Sequence, residues 1–373
     1  MMQQVVISGT GVFTPPYAIS NDELVASFNA YVELYNAENA DAIAAGTVEA
    51  KAPSSSAFIT AASGIETRYV MDKEGILDPT RMCPRYAPRA DDVPSMMAEM
   101  ALDAATKALD MAGVEAADID LIICAASNME RAYPAIGVEI QQVLGAGGFA
   151  FDMNVACSSA TFGIQAASDM IRAGSVRRAL VICPEITSGH LEWRDRDCHF
   201  IFGDVATAVV LEAAEAAQKP LFKLRSTRCA TQFSNNIRNN MGFLRRAHDQ
   251  MDDRRDMQFM QNGRKVFKEV LPLVSHHIAQ HMEEEGLDAT ALKRLWLHQA
   301  NKAMNDYIGK KVLGRVPEPG EQPNILQDYA NTSSAGSIIA FAKHSDGMTA
   351  GDLGLICSFG AGYSVGSVVV EKV

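Results

Sequence analysis

Phe149-Ala150-Phe151-Asp152-Met153-Asn154-Val155-Ala156-Cys157-Ser158-Ser159-Ala160-Thr161-Phe162-Gly163-Ile164-Gln165-Ala166-Ala167 is the stretch on which the reading of this chain turns. Up to Ala156 the residues are largely apolar and predict a buried strand. From Ser158 onward, small residues give way to apolar positions at helical spacing, which predicts the start of a buried helix. Cys157 falls between the two, at a predicted helix N-terminus. Unpaired N–H groups and the helix dipole favour an anion there, so the thiol is expected to ionise more readily and to serve as a nucleophile. For this residue alone the competing reading is a small buried cysteine with no chemistry.

Two later segments bear on that choice. Leu295-Trp296-Leu297-His298-Gln299-Ala300-Asn301 predicts a short strand with a histidine at its C-terminal end, and Tyr329-Ala330-Asn331-Thr332-Ser333-Ser334-Ala335-Gly336-Ser337 places an asparagine before a run of small residues that opens a helix. One cysteine with a histidine and an asparagine distant in sequence is a pattern for covalent catalysis. Singly, His298 reads equally well as a core histidine and Asn331 as a helix cap.

The chain also repeats itself. A helix ending near Gly113 leads to Leu121-Ile122-Ile123-Cys124, then to the Cys157 junction, then to Leu180-Val181-Ile182-Cys183. In the second half a helix from Arg264 to Gly286 leads to Leu295-Trp296-Leu297, then to Thr332-Ser333-Ser334-Ala335, then to Leu355-Ile356-Cys357. Leu121 precedes Cys157 by 36 positions and Leu295 precedes Ser333 by 38; Val181 follows by 24 and Leu355 by 22. Matched spacing predicts an α/β protein built by duplication, with halves at residues 1–214 and 215–373. The first carries the cysteine and an insertion around residues 30–95; the second carries the histidine and the asparagine.

Composition narrows the class. The 373 residues suffice for two cores, and a 48% hydrophobic content is ordinary for a globular protein. A net charge of −12 argues against nucleic acid as a partner. Neither a basic leader before an apolar stretch nor a membrane-length apolar run is evident. Seven cysteines, several within apolar strands, carry no zinc-like spacing and suggest reduced thiols in a cytoplasmic setting. The expectation is of no metal, no membrane and no nucleic acid.

Taken in order, these segments resemble the β-ketoacyl-[acyl-carrier-protein] synthase III family of the thiolase superfamily. The resemblance spans most of the chain: Ile7-Ser8-Gly9-Thr10-Gly11, Asn21-Asp22-Glu23-Leu24, Ala132-Tyr133-Pro134, the segment from Asp152 to Gly163, and Ile201-Phe202-Gly203-Asp204. It continues through Gly263-Arg264-Lys265-Val266-Phe267-Lys268, His298-Gln299-Ala300-Asn301, Asn331-Thr332-Ser333 and Ser358-Phe359-Gly360-Ala361-Gly362-Tyr363.

The resemblance implies a thiolase-like duplicated five-layer αβαβα fold, a homodimer, and Cys157, His298 and Asn331 as the catalytic set. It implies an acyl-CoA primer and malonyl-acyl carrier protein as reactants, with coenzyme A entering as the substrate thioester and no further cofactor. Cys157 would accept the acyl group, and His298 and Asn331 would stabilise the enolate left when the malonyl group loses carbon dioxide. The backbone N–H groups of Cys157 and Ala361 would bind the second oxyanion, with Gly360 and Gly362 allowing close approach. Tyr133, Phe58, Arg196 and Phe202 fall at substrate-binding positions, Tyr133 by reaching into the partner's acyl tunnel. Arg264, Lys265 and Lys268 on one helix, and Lys302, Lys310 and Lys311 on another, are candidates for docking an acidic carrier protein against the overall negative field.

Several positions depart from the family. Tyr329-Ala330 stands where His-Gly is usual, Phe58 and Ala62 stand at the Trp and Arg that clasp the CoA adenine, and Ala303 replaces a basic residue, although Lys302 adjoins it. Phe58 and Arg196 are expected to sandwich the adenine. Ala135 and Gly137 beside Tyr133 predict room for a medium-length primer. The stretch 30–62 is expected to be loop-rich with one helix. The irregular stretch 231–262, with Asp252-Asp253-Arg254-Arg255-Asp256, is expected to border the substrate tunnel. Transfer to a non-malonyl acceptor, Cys-His-Asn hydrolysis, and a silent acyl-binding protein remain open at this stage.

Overall fold

Residues 3–249 and 254–373 are described by a computed structural model. The first half runs β1 (Val5–Phe13), β2 (Tyr17–Ser20), α1 (Asn21–Glu38), α2 (Ala40–Ala44), α3 (Ser56–Ser63), β3 (Thr67–Val70) and α4 (Glu74–Leu77). It continues with α5 (Met96–Ala112), β4 (Leu121–Ala125), α6 (Ile136–Leu144), β5 (Phe149–Met153), α7 (Ser159–Arg172), β6 (Arg178–Glu185) and β7 (Val205–Ala213). The second half runs β8 (Phe222–Ser234), β9 (Ile237–Arg238), β10 (Met260–Gln261), α8 (Gly263–Glu284) and β11 (Leu292–Leu297). It ends with α9 (Lys302–Leu313), α10 (Leu326–Tyr329), α11 (Gly336–Lys343), β12 (Leu353–Gly360) and β13 (Gly362–Lys372).

Nine strands lie in the order β11-β12-β13-β8-β1-β7-β6-β4-β5. The portions from the two halves join where Val5–Ile7 of β1 pairs with Phe222–Leu224 of β8. Strand β4 runs parallel to β5 and β6, and β11 runs parallel to β12. Such strands are covered on both faces, which is why they read as unbroken apolar runs. In β4, Leu121 and Ile123 face a central core while Ile122 and Cys124 face an outer one. In β12, Ile356 faces the central core and Leu355 and Cys357 an outer one.

That alternation builds the layers. Helices α7 and α11 touch strands of both halves, and Ile164, Ala167, Ile338 and Phe341 share the central core with Val181, Trp296 and Val368. Helices α5 and α6 cover the outer face of the first half through Met100, Leu109 and Ile140. Helices α8 and α9 cover the second through Val274, Ile278 and Ile308. The result is helix, sheet, helix, sheet, helix, the expected five-layer duplication. Gly9 and Gly11 of β1 let α5 close on the strand, since a Cβ there would meet the Ala108 and Ala104 carbonyl oxygens at 2.0 and 1.9 Å.

Three expectations change. β5 is an edge strand and not a buried one: among the described residues β4 is its sole neighbour, its residues are half-buried, and Phe149 is 47% exposed. The insertion holds more helix than the loop-rich stretch with one helix that was expected: the end of α1, all of α2 and nearly all of α3 fall within residues 30–62. α1 opens on a capping box of Ser20 and Glu23, α3 is capped by Ser55, and Asn29 and Asn36 tie the intervening chain by accepting from Ser54 N–H and Lys51 N–H. Leu24, Phe28, Ile59, Ile65 and Phe202 then form a separate core over the site. In the stretch 231–262, β8 extends to Ser234 and β9 pairs with β10; Asp252 and Asp253 lie outside the described residues. No helix of the described residues is long and apolar enough to cross a membrane.

Candidate active site

Cys157 lies in a tight turn, Ala156–Ser158, that leads into α7. The turn requires Ala156 at φ +48°, and Asn154 holds it by accepting the Ala156 N–H at 2.9 Å. The second half repeats the device. Ser333 lies at φ +51°, Asn331 Oδ1 accepts the Ser333 N–H at 2.9 Å, and the turn Ser333–Ala335 leads into α11. Asn154 therefore corresponds to Asn331, and Cys157 to Ser334. The sequence spacing had set Cys157 against Ser333, one residue out of register.

His298 follows β11, its N–H bonded to the Cys357 carbonyl at 2.7 Å and its ring edge-on to Phe359 at 5.2 Å. Asn331 is fixed on both sides, its N–H donating to the Ile201 carbonyl and its carbonyl accepting from Gly203. With Oδ1 committed to Ser333, the amide offers its donor end, Nδ2, to the cavity. Behind it, Ala330 at φ +57° holds a left-handed conformation that favours glycine, the residue usual at that position. The unusual Tyr329 fills the adjoining space, its hydroxyl 3.0 Å from Thr14 Oγ1 and its ring 5.0 Å from Tyr69.

Cys157, His298, Asn331, Phe58, Phe202, Gly360 and Arg264 line one cavity of about 500 Å³. The Ser333 hydroxyl donates toward Cys157 Sγ at 3.4 Å. Burial pushes the thiol up to about 11, against the pull of the Ser333 hydroxyl and of the Ala361 and Cys157 backbone N–H groups, all of which favour the thiolate. This overturns the expectation of a readily ionised thiol: loss of water outweighs the helix end. Burial likewise pushes His298 down to about 4 against the Ser333 main chain, so the ring is neutral at pH 7. Its Nδ1 is buried and has no hydrogen-bond partner among the described residues.

Other expected site residues fall elsewhere. Tyr133 is 85% exposed and lies outside its own protomer's cavity, a placement compatible with the expected reach into a partner's tunnel. Gly137 packs α6 onto β5, where a Cβ would meet the Phe151 carbonyl oxygen at 2.8 Å, so it makes no room for a substrate. The Arg196 guanidinium rests on the Phe58 ring at 4.3 Å with its Nε bonded to the Pro53 carbonyl, which leaves no slot between them for an adenine. Gly362 pairs with Ser234 beyond the cavity. Arg264, Lys265 and Lys268 sit exposed on the first turns of α8 at the cavity edge. Lys302 is paired with Asp306 at 2.6 Å. Lys310 and Lys311 stand about 12 Å further along α9, at the end away from the cavity-lining Asn301 and Met304. Sequence reasoning assigned no part to Asn154, Ser333 or Glu185; the signal for Asn154 was its place two residues before a tight turn, as for Asn331.

Family models agree with this arrangement. Residues 151–228 match 3-oxoacyl-[acyl-carrier-protein] synthase III, and residues 282–372 match the C-terminal part of that family. A β-ketodecanoyl-[acyl-carrier-protein] synthase of Pseudomonas aeruginosa is 56% identical over 347 residues, covering 93% of this chain and 99% of that protein. The chain belongs to the 3-oxoacyl-[acyl-carrier-protein] synthase III family. It is therefore an acyltransferase of the condensing type, and the hydrolase reading falls. A synthase III of Acidiphilium cryptum is 34% identical over 276 residues, covering 73% of this chain and 83% of that one. The crystal structure of the Aquifex aeolicus synthase III superposes with a TM-score of 0.77 at 25% identity, over 99% of this chain and all of that one.

Proposed function

We propose that this synthase III joins a medium-chain acyl thioester, an eight-carbon one best, to malonyl-acyl carrier protein and releases a β-ketoacyl-acyl carrier protein for fatty acid biosynthesis. The observation that carries the reading is the convergence of Cys157, His298 and Asn331 on one cavity, with two backbone N–H groups directed at the sulfur. Chain length is supported by the 56% identical relative, whose name specifies a β-ketodecanoyl product. Ten carbons, less the two that a decarboxylated malonyl group contributes, leave eight for the primer.

The residues divide the work. Cys157 Sγ bonds to the primer's carbonyl carbon as the bond to the coenzyme A sulfur breaks, and the thiol proton leaves with the departing thiolate. The backbone N–H groups of Cys157 and Ala361 hold the oxyanion of that step. The malonyl carrier then enters, and its carboxylate departs as carbon dioxide, leaving an enolate. His298, held near 4, is a poor base at neutral pH, so its part is to donate a hydrogen bond to the enolate oxygen alongside Asn331 Nδ2. The enolate carbon bonds to the acyl carbon, the bond to Cys157 breaks, and the sulfur takes up a proton. No cofactor beyond the coenzyme A thioester enters.

A homodimer fits the half-exposed edge strand β5 and the exposed Phe149 and Tyr133, which a second copy would cover. Intact-mass spectrometry after incubation with acyl-CoAs from two to twelve carbons tests the reading, together with carbon dioxide release from malonyl-acyl carrier protein. One adduct, largest with octanoyl and absent in Cys157→Ala, is expected. An adduct that persists in Cys157→Ala, or loading without carbon dioxide release, would overturn it.

A further inference from the structure

Glu185 ends β6 as Gly360 ends β12, so the two residues occupy corresponding places in the duplicated halves. Gly360 lies against Cys157, where a Cβ would come within 2.5 Å of the cysteine Cβ. Glu185 lies against Ser334, the counterpart of Cys157, and has the side chain that Gly360 lacks. Its carboxyl accepts the Ser334 N–H at 3.2 Å, and that amide corresponds to the Cys157 N–H directed at the sulfur. A carboxylate thus fills, in the second half, the anion position that the first half keeps open.

Glu185 is 1% exposed, and its carboxyl takes four donors: the Ser334 N–H and hydroxyl, the Ser127 N–H at 3.0 Å and the Ser127 hydroxyl at 2.6 Å. Ser334 directly follows Ser333, whose hydroxyl reaches the Cys157 sulfur and whose N–H fixes the Asn331 side chain. Glu185 is also the charge that acts on the thiol, against the thiolate. Other titratable or charged groups face the same region. The buried thiols of Cys124 and Cys183 are held neutral, His298 is neutral, and Asp195, Asp197, Cys198, Arg255 and Arg264 line the cavity.

We propose that Glu185 is a positioning residue for the condensation: it anchors the Asn331–Ser334 turn and sets a negative charge behind the Ser333 contact with the Cys157 sulfur. The anchor acts through Ser333 and Asn331 and the charge acts through space, since among the described residues the carboxyl's hydrogen bonds go to Ser127 and Ser334 and none reaches the sulfur.

Glu185→Gln and Glu185→Ala test this in the full-length enzyme. The first readout is the pH dependence of Cys157 alkylation by iodoacetamide, which is independent of the proposed condensing role. Glu185→Gln keeps the shape and removes the charge, so its profile should move about one pH unit lower, giving about tenfold faster alkylation at a fixed pH below the midpoint. The second readout rests on the condensing role. Glu185→Ala leaves the Ser127 and Ser334 donors unpaired and should lower kcat for malonyl-thioester decarboxylation about tenfold or more, with KM little changed and Cys157 still acylated. An alkylation profile of Glu185→Gln that superimposes on wild type, or moves to higher pH, overturns the proposal. So does a folded Glu185→Ala that decarboxylates at the wild-type rate. If the alanine variant does not fold, the glutamine profile alone decides.

Discussion

Gly360→Ala is the sharpest probe of how the nucleophile is placed. A Cβ at residue 360 would stand 2.5 Å from Cys157 Cβ and 2.9 Å from its Sγ. Ordinary contact begins at 3.4 Å, so the shortfall is about 0.9 Å. No flexible side-chain end can absorb it, because the obstructing Cβ is bonded directly to the Cys157 backbone. That backbone is pinned by the Asn154 bond to Ala156 and by the bond from the Val155 N–H to Ser159 Oγ at 2.8 Å. The sulfur must therefore move by most of an ångström relative to the Ala361 N–H. Misplacement on that scale costs about 100-fold in rate, while overpacking of this kind costs about 1–3 kcal/mol of stability. Quench-flow mass spectrometry of acyl transfer from octanoyl-CoA measures the first quantity, and urea unfolding the second. The expected variant is folded, moderately destabilised and about 100-fold slower to load. A folded Gly360→Ala enzyme that loads at the wild-type rate would refute the reasoning.

His298→Ala and Asn331→Ala should each keep acyl loading on Cys157 and lose about 10²–10³-fold in malonyl-thioester decarboxylation, the usual cost of one oxyanion donor; condensation near the wild-type rate in both would show the donors to be misassigned. Acid should destabilise the fold. Burial pushes His190, His199, His277, His281 and His298 down to about 4 from the ordinary 6.5. The unfolded chain then binds protons that the folded chain refuses, so the stability from these neutral rings is full above about 6.5 and is lost as pH falls toward 4. At about 1.4 kcal/mol per pH unit, each ring contributes at most about 3 kcal/mol. Glu185 and Asp204, pushed up by burial to about 7 and about 6, act in the opposite sense but number two against five. Urea midpoints measured at pH 7.5, 6.0 and 5.0 should fall steadily; equal midpoints at 7.5 and 5.0 would contradict the assignment.

What the sequence disclosed and what it withheld follow from the range of the forces involved. Cys157, His298 and Asn331 were legible because each sits at a junction whose small residues and flanking apolar run are adjacent in the chain. The duplicated order of strands and helices was legible for the same reason, since a strand such as Leu121–Ala125 announces itself locally, whereas the five-layer stacking was implied by the family resemblance. The exposure of β5 was not, because an edge is defined by the neighbour a strand lacks. The ionisation of Cys157 was misjudged since a helix end is visible in sequence, whereas the walls that exclude water come from residues 58, 202, 298 and 360. The contact between Phe58 and Arg196 joins positions 138 apart, and the separation of Lys310 and Lys311 from the cavity depends on the direction in which α9 leaves it. The Glu185 anchor was hidden because a carboxylate ending an apolar strand looks like the start of a loop.

The division of the proposed catalytic groups between the halves has a consequence of its own. The first half supplies the sulfur, and the second supplies the imidazole, the amide and the glycine that leaves the sulfur its space. Neither half holds a working set. Activity is thus a gauge of how the two halves mate, read to a fraction of an ångström across a seam in which α7 and α11 are the shared filling. Substitutions at Ile164 or Ile338, remote from any reacting atom, can then silence the enzyme by tilting one half against the other while each keeps its own sheet and outer helices.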